Sequence, residues 1–139
     1  MTVPSGFVQG EDLDPAEKNI GPFLRYDSSG GSDAGVVTGL LVQARHCNEH
    51  GTLHGGVQMA LADYTIGVVA RFGMGAEGTM TVSFDSSFID AGQLGEWITG
   101  HAEVIRRTGS LVFVQGRLRC GDRPLLAFNG VVKRRRPRG

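Results

Sequence analysis

The longest apolar stretch of the chain lies near its middle. Residues 57–72 include Val57, Met59, Ala60, Leu61, Ala62, Ile66, Val68, Val69 and Ala70, with no turn signal before Gly73. That is too long for a typical strand and suits a helix. His54-Gly55-Gly56 opens it. Its apolar positions cover nearly the whole helical circumference, and a helix apolar all round is buried all round. In so small a chain, only a sheet wrapped about the helix can bury it.

Strand patterns stand on both sides. Residues 21–26 suit a short edge strand and residues 36–44 a longer one, parted by a Ser/Gly-rich turn. After the helix, residues 79–85 alternate strictly, which places Met80, Val82 and Phe84 on one face. Residues 96–107, 110–120 and 125–134 follow as strands, with turns at Thr108-Gly109 and residues 121–124. Such short connections favour antiparallel neighbours. The expected order is strand, buried helix, then an antiparallel meander, an α+β arrangement over residues 21–134. Residues 1–20 are polar and read as a flexible arm. Asp14-Pro15 suits the start of a short helix there, with Asp at the N-cap and Pro at the first helical position.

Length and composition fit one ordinary globular domain: 139 residues, 40% apolar and 20% charged. Two cysteines, Cys47 and Cys120, make no disulfide framework. No apolar run is long enough to span a bilayer, and the N-terminal residues lack the pattern of a signal peptide. A cytoplasmic protein with free thiols, not bound to membrane, is therefore expected. The formal net charge is zero, but Lys133, Arg134, Arg135, Arg136 and Arg138 crowd the end of the chain. Without them, 9 basic residues face 14 acidic ones, a net of −5. A basic tail (residues 135–139) on a mildly acidic body is not the charge distribution of a nucleic-acid-binding domain.

Asp63 falls in the middle of the apolar helix, with no basic residue three or four positions away. A buried carboxylate there needs hydrogen bonds to stay charged. It reads either as a general base or nucleophile or as a structural Asp bonded to a neighbouring loop. The helix start is the second feature. Its first amides carry partial positive charge and lack partners within the helix, and Gly55 and Gly56 let a ligand approach the backbone. The two glycines also suit a plain turn into the helix. Gly55 and Asp63 are eight residues apart, or about 12 Å at 1.5 Å per residue. One carbonyl cannot touch both in one chain. If both act on one substrate, they come from two subunits of a symmetric dimer.

Asn48-Glu49-His50-Gly51-Thr52-Leu53-His54-Gly55-Gly56, followed by Leu61-Ala62-Asp63, resembles the hotdog-fold acyl-CoA thioesterases of the phenylacetate-pathway type. Their pattern matches at Asn48, Gly51, His54, Gly55, Gly56 and Asp63. The resemblance implies a hotdog fold, a long central helix wrapped by an antiparallel sheet. It also implies hydrolysis of an acyl-CoA thioester, aryl or medium-chain, with no cofactor beyond the coenzyme A of the substrate. By the same resemblance, the Gly55 amide polarises the carbonyl, Asn48 positions carbonyl or water, and His54 supports the loop. Asp63 of the other subunit activates water or attacks directly. Thr81, on the polar face of its strand, stands near Asp63. Gly56 belongs with substrate binding, and Arg134, Arg135 and Arg136 suit the phosphates of coenzyme A. A homodimer, or a dimer of dimers, is expected.

Other readings compete. A non-catalytic hotdog module that binds acyl-CoA or a protein partner would not need Asp63 beside Asn48 and Gly55. His46, His50 and His54 have the spacing of helical metal ligands, but Gly51, Gly55 and Gly56 argue against a helix through all three, and no metal is expected. The basic tail reads equally as a solvated chain end. Trp97 and the phenylalanines read as core or as lining of an acyl pocket.

Overall fold

A computed structural model describes residues 2–28, 35–74 and 78–135. Helix α1 is Pro15–Ile20 and helix α2 is Gly55–Arg71. The strands are β1 Leu24–Ser28, β2 Gly35–Leu41, β3 Gly78–Phe88, β4 Trp97–Arg107, β5 Leu111–Cys120 and β6 Arg123–Arg135. All pairings are antiparallel, in the order β1-β2-β4-β5-β6-β3. A 3-10 turn, Ala44–His46, ends the stretch expected to continue β2.

Helix α2 lies across one face of this single sheet. Leu61, Ala62, Ile66, Val68 and Ala70 on the helix meet Leu40, Ile98, Val112, Val114, Leu118, Leu126 and Val132 on the strands in one core. Burying each large aliphatic side chain contributes roughly 1.5–3 kcal/mol. The β-branched residues of the helix cost less than about 0.7 kcal/mol each in helix propensity. Packing therefore decides this segment. Close approach also fixes a glycine: a methyl at Gly100 would collide with the hydroxyls of Thr38 and Thr65, which are hydrogen-bonded across the core at 2.7 Å.

Two expectations about the sheet need correction. Only β4-β5-β6 form the meander, because β3 pairs with β6 at the sheet edge. The link from β3 to β4, residues 89–96, is long enough to cross the two intervening strands, which stand about 4.8 Å apart. Arg123 staples that link by ion pairs to Asp90 at 3.1 Å and Glu96 at 2.6 Å. The strict alternation of β3 also breaks. A bulge between Thr81 and Ser83 leaves Val82 without a partner and shifts the phase of the strand. Met80 and Val82 are exposed, whereas Thr81 and Phe84 turn towards the helix side.

The helix is not buried all round. Gly56, Met59 and Asp63 form an exposed stripe on α2, with Ala60 half-buried beside it. Two turns apart on one face, they lie where the open sheet ends at β3. The N-terminal residues are mostly exposed and are tied to the sheet and helix at a few points. Leu13 is buried in the core, and Asp14 caps α1 in a reciprocal capping box with Glu17. Phe7 packs edge-on against Trp97 at 4.8 Å. Trp97 precedes the fully buried Ile98 and so faces away from the helix. It covers Gly39 on the outer face and does not join the main core. No helix among the described residues is long and apolar enough to cross a membrane.

Candidate active site

The site is built on the exposed stripe of α2. Thr81 donates its hydroxyl hydrogen to Oδ1 of Asp63 at 2.6 Å. The bulge in β3 makes this possible, because it turns Thr81 inward while its neighbours Met80 and Val82 face out. Asp63 is exposed in the single chain, so it is not the solvent-excluded carboxylate expected from an all-apolar helix. Its orientation comes from the short bond to Thr81, a charge-assisted one when the carboxylate is ionised.

The loop before α2 is built from its own side chains. Oδ1 of Asn48 accepts the backbone N–H groups of His50 at 2.9 Å and Thr52 at 3.2 Å, and its Nδ2 donates to Oγ1 of Thr52 at 2.9 Å. Gly51 takes a positive φ of 79° at the turn, a conformation that glycine adopts without strain. His54 is the N-cap of α2, and its Nδ1 accepts the Gly56 N–H at 2.8 Å. The Val57 and Gln58 amides return to the His54 carbonyl. The Gly55 N–H has no hydrogen-bond partner among the described residues. It is the one donor of the first helical turn left open to a ligand. Phe88 packs beside Gly55, where a methyl would come within 3.1 Å of its ring.

The structure brings Asp63 and Thr81 together, and it brings Asn48, His54, Gly55 and Gly56 together. It does not join the two groups, which stand two turns apart along α2. Arg134 and Arg135 end β6, where they pair with Thr79 and Gly78 of β3. Arg134 is half-buried and Arg135 exposed. Arg136 lies outside the described residues. His46, His50 and His54 occupy a 3-10 turn, a loop and a helix cap. His46 is buried, bonded through Nδ1 to the Gln43 N–H and through Nε2 to the Gly21 carbonyl, and burial pushes its pKa down.

A cleft of about 910 Å³ begins at Asp63 and Thr81 and runs along the second half of α2 towards β1 and the N-terminal residues. Tyr64, Val68 and Phe72 supply its apolar surface. Its charged wall was not anticipated from the sequence. Asp12 accepts from Arg25 at 3.0 Å, from Arg71 at 3.1 Å and from the Tyr64 hydroxyl at 3.4 Å. Burial and Asp12 push the Tyr64 phenol well above its ordinary pKa, so it stays a donor. Arg71 also donates to Oγ1 of Thr79 at 3.0 Å. The spacing 63, 67, 71 places Arg71 on the Asp63 face, a helical signal present in the sequence.

Residues 50–127 match the family model described as "Thioesterase superfamily". The Pseudomonas aeruginosa protein PA0474, named as a presumptive esterase, is 31% identical over 133 residues, 94% of this chain and 96% of that protein. Solved structures share the fold, two of them as follows. The Escherichia coli PaaI protein of the phenylacetic acid degradation operon superposes with a TM-score of 0.75 at 19% identity, covering 87% of this chain and 84% of its own. The Bacillus halodurans protein BH2602, solved with CoA, superposes with a TM-score of 0.71 at 17% identity, covering 81% of this chain and 75% of its own. By sequence match and by its helix wrapped in an antiparallel sheet, the chain belongs to the thioesterase superfamily and has the hotdog fold.

Proposed function

We propose that the protein hydrolyses an acyl-CoA thioester, with an aryl or medium-chain acyl group, to the free acid and coenzyme A. The observation that carries this reading is the bond from Thr81 to Asp63 at the mouth of a cleft, with a Gly55 amide at the start of the same helix that has no partner among the described residues. A carboxylate held by one hydroxyl suits a base or nucleophile, and a free helix-start amide suits a carbonyl oxygen. The two stand about 12 Å apart along one helix. The complete site therefore takes Asp63 and Thr81 from one chain and the loop of Asn48, His54, Gly55 and Gly56 from another. The unpaired edge of β3, with Met80 and Val82 exposed, and the stripe with Met59 are the surfaces on which a second copy would dock.

In the general-base form, Asp63 takes a proton from water as its oxygen attacks the thioester carbon. The oxyanion is held by the Gly55 N–H of the partner subunit. When the intermediate collapses, the C–S bond breaks with its electrons on sulfur, and the proton passes from Asp63 to the departing thiolate. In the nucleophilic form, Asp63 attacks the thioester carbon and the C–S bond breaks to give an anhydride and the thiolate; water then cleaves the anhydride to the free acid and the Asp63 carboxylate, and its second proton passes to the thiolate. Asn48 holds the loop and keeps one Nδ2 hydrogen for carbonyl or water, and His54 aims the helix start. Arg134 and Arg135 at the end of β6, followed in the sequence by Arg136, are the side chains whose chemistry suits the phosphates of coenzyme A. CoA in the BH2602 structure, a fold relative, agrees with this choice of substrate.

Thiol release from aryl, short-chain and medium-chain acyl-CoAs tests the proposal. At least one class should turn over, and Asp63→Asn should lower its kcat by about a hundredfold or more with the fold intact. Binding without turnover would favour a non-catalytic acyl-CoA module.

A further inference from the structure

The far end of the cleft is polar where an alkyl chain would need apolar walls. Arg71 reaches it by folding back along its own helix. A methyl at Gly67 would stand 2.9 Å from Nη1 of Arg71, so the guanidinium lies over the bare backbone of Gly67. Gly67 is one helical turn beyond Asp63, or about 6 Å along the axis. Thr79, which accepts from Nη1 of Arg71, is two residues along β3 from Thr81, or about 7 Å. Helix and strand thus place the same guanidinium 6 to 7 Å, roughly, beyond the Asp63–Thr81 pair. Two of its N–H groups are engaged, one by Thr79 and one by Asp12, and a guanidinium has five. Its side chain keeps 27% of its surface open.

From this geometry we infer that Arg71, seated over Gly67, selects acyl groups carrying a neutral oxygen, keto or hydroxyl, about 6 Å beyond the thioester carbonyl. The inference rests on the reading of the cleft as the acyl site. An alkyl chain at that depth would strip water from the guanidinium and return no hydrogen bond. A carboxylate would meet the wrong field. Asp12, Asp14, Glu17, Asp27 and Asp63 line the cleft against Arg25 and Arg71, a net charge of −3. Asp12 already pairs with both arginines. A neutral acceptor can take the open N–H groups without displacing Asp12.

Three thioesters matched in length separate these cases: hexanoyl-CoA, the same chain with an oxo group on the fifth carbon, and glutaryl-CoA with a carboxylate at that carbon. The ketoacyl thioester should exceed both others in kcat/KM by about 10- to 100-fold, the range of one hydrogen bond from a charged donor. Arg71→Met should bring the keto-to-alkyl ratio to within about threefold of unity, on the same scale. Arg71 anchors the N-terminal residues, so Gly67→Ala provides a second variant. It keeps the charge, favours the helix, and pushes the guanidinium off its seat. It should lower the same ratio without lowering the thermal midpoint. Dissociation constants of the three thioesters on Asp63→Asn give a reading free of turnover. A keto preference in binding with no hydrolysis of any thioester would sink the proposed reaction and leave this inference standing. Hydrolysis or binding with equal or greater preference for hexanoyl or glutaryl would overturn it, as would a keto preference unchanged in both variants or no binding of any of the three.

Discussion

If the reacting groups come from two chains, two dead variants should revive each other. Gly55→Pro removes the free N–H, and proline is well tolerated at the first position of a helix, which Gly55 occupies. The ring would press on Phe88, which is 54% exposed and has room to move. Asp63→Asn removes the carboxylate and keeps an acceptor for Thr81. In a mixed dimer, one site collects both defects and the other collects none. Random exchange makes mixed dimers about half of the population, each with one of its two sites intact, so activity should return to roughly a quarter of wild type. The separation along α2, about 12 Å, leaves no way for one chain to supply both groups to one carbonyl. The assay mixes equal amounts of the two variants after circular dichroism has shown both folded, and follows thiol release over time. Subunit exchange is monitored separately by fluorescence transfer between labelled copies. Complete exchange with no recovery would refute the two-chain site, and full activity of Gly55→Pro alone would remove its amide from the reaction.

Thr81→Val should lower kcat/KM by about tenfold, less than Asp63→Asn, because it removes an orienting bond and not the reacting group; equal losses in steady-state assays would contradict that ranking. Gln58 is buried, with its Oε1 lacking a partner among the described residues. Gln58→Met should therefore stabilise the fold by about 1–3 kcal/mol in urea titrations, and a lower midpoint would show that the amide is satisfied in solution. Burial depresses the pKa of His46, and burial with Arg119 and Arg117 depresses that of His101, both from an ordinary value of 6.5. Below that value the unfolded chain binds protons that the folded chain refuses, so stability should fall as pH drops from about 6.5 towards the folded-state values. A thermal midpoint that stays flat or rises over this interval would contradict the assignment.

The central helix, the six strands and the loop from Asn48 to Gly56 were legible in the chain because they depend on local chemistry. A long, mostly apolar run suits a helix, alternation suits strands, and a glycine at positive φ sits in the Asn48 loop. The capping box at Asp14 and Glu17 was partly legible for the same reason: Asp14-Pro15 announced the start of α1.

Three features depend on tertiary structure. Strand β3 lies beside β6 because an eight-residue link can cross two strands, and alternation says nothing about which edge a strand takes. Thr81 faces Asp63 because a bulge inserts one residue into the β3–β6 ladder, which shifts a period-two pattern out of phase. The charged wall of the cleft joins Asp12 and Arg71, 59 residues apart in the chain. Only the folding of the N-terminal residues against α2 brings them within hydrogen-bonding distance. The sequence by itself determined the helix, the strands and the loop that presents the Gly55 amide, since these follow from neighbours a few residues apart. Which strand borders Asp63, which face of α2 stays open and what charge lines the cleft were decided by contacts between distant segments, whose pairing no local pattern encodes.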